Sequence, residues 1–593
     1  MDMNEHFTCG MNKTEWEVDK AMLKNYYEAD YLSNLKELVT RGEEKYGLKH
    51  AFRELDAKRN IHSYTFIQLR EDVDALGTKL LSMGLKGRHF ALIGDSSYSY
   101  VVSYLAVACG VGVVVPLDKE LSLDDLHKLV CKSDAEVLLY SQSLHDDVME
   151  MRGMCPELKT YINISMYEKP EDTLSILDLL EDGRKEINKG NDQFKNMSID
   201  RNSLSSILFT SGTTGVNKGV MLSHKNMLTV IHSAFSMFKF SEVSFSVLPI
   251  NHTYEFNLHV LGCIYGGMTL CFNDSIKHVK ENLLTYQPGM TLMVPMIVES
   301  LYKNIWKEAE KTNLSKHLRY GVWFSNIIRK VGIDRRALFF KPIHKSLGGN
   351  LKVIVCGGAP LRPDIVKGFD DFGISIYNGY GITECAPLIS SNCTLKSVPG
   401  SVGYVVPDNL VRIADTDDDG IGEIQVQGDN VMMGYYKDPV STRKTFTSDG
   451  WFKTGDLGYI DRKGALYITG REKNLIILAN GKNVHPEELE EHILENLCYV
   501  KEVVVYAPLS QDGQDVMIMA EAFIDQDYLI EVGIDRAKEN LKEDIQKLNK
   551  KLSVYKRIHD VKLREEEFEK TSTRKIKRHC IENKEVAVHA QHH

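Results

Sequence analysis

From Ser63 onward the chain alternates short apolar runs with amphipathic stretches, and this alternation restricts the fold more than any other feature. Residues 65–83 carry helical spacing, 90–93 are a short apolar run, 96–108 are helical again, and 111–115 are a second apolar run. Residues 121–131 and 137–140 repeat the unit. Strands separated by helices cannot pair as hairpins, so they cross over into a mostly parallel sheet covered on both faces. At 593 residues the chain has room for roughly three or four structural units. The expectation is an α/β protein: a large N-terminal part of layered mixed and parallel sheets with helices and a β-rich subdomain, and a small separate α+β domain over about the last 120 residues. The β-rich part is read at about 400–470, where short strands and frequent turns take over; the acidic run 417–420 there is a solvated hairpin turn. Residues 15–45 read as one helix, 185–201 as a polar surface connection, and Ser223 as the N-cap of a helix reaching about residue 238.

Charge and cysteine usage narrow the function classes. A formal charge of -10 argues against general nucleic-acid affinity. The 11 cysteines are scattered without a Cys-x-x-Cys pair, which fits reduced, mostly buried thiols and a cytoplasmic protein. The N-terminal stretch is acidic and polar where a signal peptide needs a basic start and an apolar core. The most apolar stretch, 101–117, contains Ser103, Gly110, Gly112 and Pro116 and falls short of the roughly 20 residues of a membrane helix. Peripheral contact with a membrane stays open, and the sequence gives no reading of oligomeric state.

Residues 209–226, FTSGTTGVNKGVMLSHKN, follow an apolar run that ends a buried strand. Gly212, Gly215 and Gly219 free the backbone to turn its N–H groups inward, while Thr210, Ser211, Thr213 and Thr214 add hydroxyl donors; Lys218 adds a point charge. Together they suit a polyphosphate. The segment is not a Walker A loop, because Lys218 is followed by Gly219 rather than by Ser or Thr. Further on, Asn378-Gly379-Tyr380-Gly381-Ile382-Thr383-Glu384 combines an amide able to read adenine, an aromatic face, glycines allowing close approach, and a carboxylate able to hold Mg²⁺. Asp456, in Thr454-Gly455-Asp456, is an acid suited to ribose hydroxyls. His252, alone, would be read as a satisfied core histidine.

The loop at 209–226 resembles the phosphate loop of the adenylate-forming (AMP-binding) superfamily, and the later motifs keep the family's order over about residues 60–578. That resemblance, most like long-chain fatty acyl-CoA synthetases in 294–306 and 345–361, implies an AMP-forming ligase using ATP, Mg²⁺ and CoA. It implies Tyr380 as the adenine platform, Asn378 as its reader, Gly358, Ala359 and Pro360 as the opposite wall, and Glu384 as the metal ligand. His252 falls on the carboxylate side, Asp456 and Arg471 on the ribose side, and Lys473 at the hinge between a large N-terminal domain, 1–472, and a small mobile C-terminal domain, 473–593. The terminal catalytic lysine is Lys575, with Arg574 before it where many members have glycine. Two other readings stay open: a ligase that loads an acyl carrier protein, and a nucleotide-binding regulator that has lost catalysis.

Overall fold

The computed structural model describes residues 27–210, 217–478, 483–508, 517–570 and 576–578, together with the backbone of 15–16. The chain forms two compact units: residues 16–410 with 426–452, and residues 411–425 with 453–593 and the first fifteen.

The larger unit is built on two sheets. One runs, edge to edge, Gly434–Tyr435, Lys218–Ser223, Leu204–Thr210, Val113–Leu117, His89–Ile93, Ala135–Tyr140, Thr160–Asn163 and Leu174–Ser175. Its middle is parallel, as the alternating pattern requires, and the two strands around the phosphate loop close it antiparallel. The second sheet runs Tyr404–Val405, Leu388–Ser391, Ser375–Gly381, Val353–Cys356, Met290–Met293, Val243–Ser246, Thr269–Phe272, His50–Leu55 and Ile61–Thr65. Strands 243–246, 269–272, 290–293, 353–356 and 375–381 pair in parallel. Phe245, Met293, Ile354 and Phe369 pack between this sheet and its helices and are essentially inaccessible to water.

Local chemistry fixes the element ends. Thr65 caps the helix Phe66–Ser82 through a capping box with Gln68, and Ser223 does the same for His224–Met237 with Asn226. Pro295 opens the helix Pro295–Lys311, where its missing N–H costs nothing. Within the stretch expected to be helical over 15–45, the described residues are helical from Leu35 onward, in the helix Leu35–Tyr46, because Asn34 caps it by accepting from the Glu37 N–H; residues 27–34 are irregular, 15–16 are extended, and 17–26 lie outside the described residues. The strand expected at 111–115 begins at Val113, because Val107–Val111 winds as a π-helix and Gly112 then passes so close to Arg88 that a Cβ there would lie 2.1 Å from the Arg88 carbonyl oxygen. The polar connection 185–201 is anchored more firmly than its composition suggests. Its first residues finish the helix Ile176–Asn188, and Phe194 is fully buried against Gly77.

A further sheet, mostly of the smaller unit, runs Glu15–Trp16, Asn409–Ala414, Gly422–Gly428, Phe452–Ile460 and Leu466–Arg471, and the acidic run is the turn expected there, with the Asp417 N–H donating to the Ile421 carbonyl. Val500–Tyr506, Met519–Ile524 and Asp560–Arg564 form another, covered by Pro486–Asn496 and Ile534–Asn549. The expectation of reduced thiols fails at one pair. Cys131 and Cys155 are joined as a disulfide, Cα–Cα 5.9 Å, since the chain turns back after the helix Leu123–Lys132 and lays Cys155 against it. The other described cysteines form no disulfide, and all but Cys498 are buried. Among the described residues no helix is long and apolar enough to cross a membrane.

Candidate active site

Of the phosphate-loop residues, Thr210 and Lys218 are described, whereas Ser211, Gly212, Thr213, Thr214 and Gly215 lie outside the described residues. Thr210 and Lys218 face each other as the last cross-strand pair before the turn. The Lys218 ammonium stands 4.8 Å from the centre of the Tyr435 ring, and the Tyr435 hydroxyl donates to Glu384 Oε1 at 2.9 Å. Burial pushes the Tyr435 phenol up, and the Glu384 charge adds to the effect, so the hydroxyl keeps its proton and acts as a donor.

The backbone explains why these three groups meet. Tyr435 pairs with Val220 on the strand leaving the loop. Asn226, the capping-box residue of the next helix, donates its amide to the carbonyls of Asp429 and Val431, both at 2.8 Å. Met432 N–H then donates to the Glu384 carbonyl at 2.8 Å. One helix cap thus fixes 429–431, and 432–435 ties Glu384 to the loop. Tyr435 escaped the sequence reading, since nothing but its pairing with residue 220 reveals it.

The second cluster lies at the ends of two parallel strands. Cys356 is in register with Asn378. The next turn, Gly357-Gly358-Ala359-Pro360, therefore runs beside Asn378-Gly379-Tyr380-Gly381. Gly358 takes a left-handed φ of 88°, and a Cβ on Gly357 would lie 3.4 Å from both the Gly379 carbonyl and the Tyr254 ring. Tyr380 is largely buried. Asn378 Oδ1 is buried and has no hydrogen-bond partner among the described residues. An orphaned acceptor is costly unless a ligand completes it, and a purine amino group would. Thr383 opens the short turn that carries Glu384. His252 sits in the turn before the π-helix Tyr254–Leu261, and Tyr254 donates to the Val355 carbonyl at 3.0 Å, which brings this segment up to the start of the Gly357–Pro360 turn.

Two further arrangements need separating from the site. Ser244, His259 and Glu255 form a hydrogen-bonded chain, 2.6 and 3.0 Å, in the order of a hydrolytic triad. All three are 0–1% exposed, so a nucleophile there would meet no substrate. Among the described residues His127, Cys131 and Cys155 are the group of three potential metal ligands, and two of its sulphurs are already bonded to each other. Glu384 is a lone carboxylate, a donor set that suits Mg²⁺ taking its other oxygens from phosphates and water.

Asp456 and Arg471 lie in the smaller unit, where they pair across adjacent strands, Nε to Oδ1 3.0 Å. Asp456 is 4% exposed, and its N–H donates to Thr454 Oγ1. Lys473 lies in the turn Glu472–Asn474 directly after that sheet. Asn474 donates to Glu487 Oε1 at 2.7 Å, on the helix Pro486–Asn496. Lys575 lies outside the described residues, but its neighbours are placed. Lys570 forms an isolated bridge with Ile576 and pairs with Glu502 and Glu567, and Arg578 pairs with Glu490 and Glu487. These two ends of the basic tail are structural ion pairs rather than free cations.

The profile of the AMP-binding enzyme family matches residues 41–436, and that of the AMP-binding enzyme C-terminal domain matches residues 473–585. The chain is 28% identical over 482 residues to a long-chain-fatty-acid–CoA ligase of Mycobacterium tuberculosis, covering 77% of this chain and 78% of that one. It is 26% identical over 519 residues to a chloroplastic long-chain-fatty-acid–[acyl-carrier-protein] ligase of Arabidopsis thaliana, covering 74% and 70%. Among solved structures it superposes on ATP-bound MatB from Rhodopseudomonas palustris with a TM-score of 0.72 at 22% identity, over 93% of this chain and 99% of that one.

Proposed function

Because the chain belongs to the AMP-binding enzyme family, we propose that it activates a long-chain fatty acid with ATP and passes the acyl group to the thiol of CoA. The observation that carries the reading is the joining of Lys218, Tyr435 and Glu384 beside a loop suited to polyphosphate, together with the orphaned amide oxygen of Asn378. In the first half-reaction a carboxylate oxygen of the acid bonds to the α-phosphorus of ATP and the bond to pyrophosphate breaks, leaving acyl-AMP. In the second the sulphur of CoA bonds to the acyl carbon, AMP leaves, and the thiol proton goes to solvent.

The residues divide the work by charge. Lys218 and the loop hydroxyls at 210, 211, 213 and 214 stabilise the negative charge that gathers on the departing phosphates, and Lys575 holds the acid and α-phosphate oxygens together. Tyr435 orients the Glu384 carboxylate. Glu384 would hold Mg²⁺, whose charge neutralises phosphate oxygens when bound. Asn378 and Tyr380 select and stack adenine against Gly358–Pro360, Asp456 with Arg471 takes the ribose, and His252 lies on the side of the acid. The small domain is taken to begin at Lys473, about which it turns between the half-reactions. A cytoplasmic location is part of the same reading.

The homology to a carrier-protein ligase favours a second acceptor, a phosphopantetheinylated carrier. The presence of both Glu384 and Lys575 favours an enzyme over an inactive nucleotide-binding regulator. The test is kcat/KM for CoA against that for a phosphopantetheinylated carrier, with ATP and fatty acids of graded length. CoA should win with a long acid. A carrier preferred by about tenfold or more, roughly 1.4 kcal/mol in the transition state, would move the reading to the carrier ligase.

A further inference from the structure

Residues 311–345 carry nine Lys and Arg and a single Asp, in a chain whose formal charge is -10. The segment holds the end of Pro295–Lys311, the helix Ser315–Arg329, and the short helices Arg336–Phe339 and Lys341–Ser346. Ser315–Arg329 is apolar on two faces. One, with Leu318, Val322 and Ile328 around the buried Ser325, is turned toward the protein. The other carries Tyr320, Trp323, Phe324 and Ile327 at helical three and four spacing, all exposed, with Trp323 at 56%. A helix resting on a core presents polar residues to water, so a second apolar face marks a surface that something covers.

The apolar surface continues beyond the helix. Val331 is 74% and Leu338 67% exposed, and Ile333 and Phe339 are exposed beside them. The aromatics pack on one another rather than into the core: Tyr320 lies 5.4 Å from Trp323, and Phe324 meets Phe339 edge-on at 6.0 Å. The base is held rigidly. Arg329 and Arg336 both pair with Asp370 at 2.8 Å, and Asn326 donates to Asp371 at 2.9 Å, on the helix Pro363–Phe372. The one acid, Asp334, is paired with Arg336. Lys311, Lys316, Lys330, Arg335, Lys341 and Lys345 are exposed and enter no ion pair among the described residues.

We propose that this face, Tyr320–Leu338 with its surrounding lysines and arginines, docks the protein on the surface of an anionic lipid bilayer. Trp and Tyr suit the headgroup level, Phe, Ile, Val and Leu the acyl boundary below it, and Lys and Arg on long stems reach the lipid phosphates at the rim. Two copies of this chain meeting through the same patch would set like charges against one another. A single nucleic-acid strand would use the aromatic rings but leave Ile327, Val331, Ile333 and Leu338 against water. None of these residues is assigned to nucleotide or acid, so the docking surface stands apart from the proposed chemistry.

The test uses the full chain with vesicles of phosphatidylglycerol and phosphatidylcholine, compared with phosphatidylcholine alone, by flotation. Wild-type protein should bind the anionic vesicles at least about tenfold more tightly, and raised salt should weaken that binding. Lys316→Gln/Lys330→Gln/Arg335→Gln should reduce binding on the order of 100-fold, the product of about fivefold for each charge near an anionic leaflet. Tyr320→Ser/Trp323→Ser/Phe324→Ser should reduce it comparably while leaving the circular dichroism and melting unchanged, since these side chains support no core. Independently, lipids brominated along the chain should quench tryptophan emission in the wild type and much less in Trp323→Phe. Equal binding to both vesicle types, variants that float like wild type, or a face whose substitution changes only self-association or oligonucleotide binding would each overturn the proposal.

Discussion

Replacing Asn378 by Leu tests the adenine assignment with two effects of opposite sign. The two side chains have nearly the same shape, so packing is conserved while the amide is lost. Without nucleotide, Asn378 Oδ1 is buried and unpartnered; such an acceptor costs about 1–3 kcal/mol, and removing it should leave the free protein no less stable and raise its melting temperature slightly. With ATP bound, the variant loses the acceptor for the adenine amino group and a donor to a ring nitrogen, and leaves the amino group desolvated. Together these amount to about 2–3 kcal/mol, or roughly 30- to 150-fold in ATP affinity. Preference for ATP over inosine triphosphate should fall in step, because the reader of the amino group is gone. The assay is calorimetric titration of each nucleotide into wild type and variant, with a melting curve of each free protein. ATP affinity unchanged within about twofold, or a free variant destabilised by about 2 kcal/mol or more, would show that the amide serves the fold rather than the base.

Glu384→Gln should greatly reduce adenylation, with partial recovery at raised Mg²⁺, and Tyr435→Phe should cost less, about 10- to 100-fold, the usual value of a hydrogen bond to a charged group; an unchanged Mg²⁺ dependence in Glu384→Gln would place the metal elsewhere. Lys575→Ala should stop acyl-AMP formation and spare thioester formation from supplied acyl-AMP, while Lys473→Pro should do the reverse by fixing φ at the hinge; equal loss of both half-reactions in either variant would remove that assignment. Gly381→Ala should destabilise at or beyond the upper end of about 1–3 kcal/mol, because its Cβ would lie 1.9 Å from the Pro387 carbonyl; a normal melting curve would refute the packing argument. His224 is 2% exposed, and burial lowers its pKa to about 4. The unfolded chain therefore binds the extra proton between about pH 6.5 and 4, so stability falls as pH drops through that window, by about 2 kcal/mol from pH 7 to pH 5. His224→Asn, which keeps an acceptor for the Leu35 N–H, should flatten the slope in denaturant titrations, and an unchanged slope would assign it to other groups.

Features whose causes are local are legible in the sequence. The helix at 66–82, the cap at Ser223 and the parallel order around 89–140 depend on neighbours a few residues away, and the pattern carries them. Among the described residues, 27–34 are misread because they supply apolar residues at helical spacing, while Asn34 caps only the segment from Leu35 onward. Tyr435 is hidden because its meaning lies in strand pairing with residue 220, and the Cys131–Cys155 disulfide because its partners are 24 apart in sequence and joined only by a chain reversal. Residue chemistry and motif order single out Glu384 and Asn378 as candidates. That Glu384 is held by Tyr435, and that the Asn378 oxygen lacks a partner, emerges only with the packing. In the basic tail Arg578 and Lys570 are engaged by buried or partly buried glutamates, pairings that the sequence does not show.

The central claim is that the site joins a carboxylic acid to the α-phosphate of ATP before any thiol takes part, and ATP–pyrophosphate exchange measures that step alone. With radiolabelled pyrophosphate, Mg²⁺ and no CoA, the account predicts exchange that depends on added acid, is fastest with long-chain fatty acids, and disappears in Lys575→Ala. Absence of exchange with every acid in a protein that still binds ATP, or exchange that appears only when a thiol is added, would contradict it.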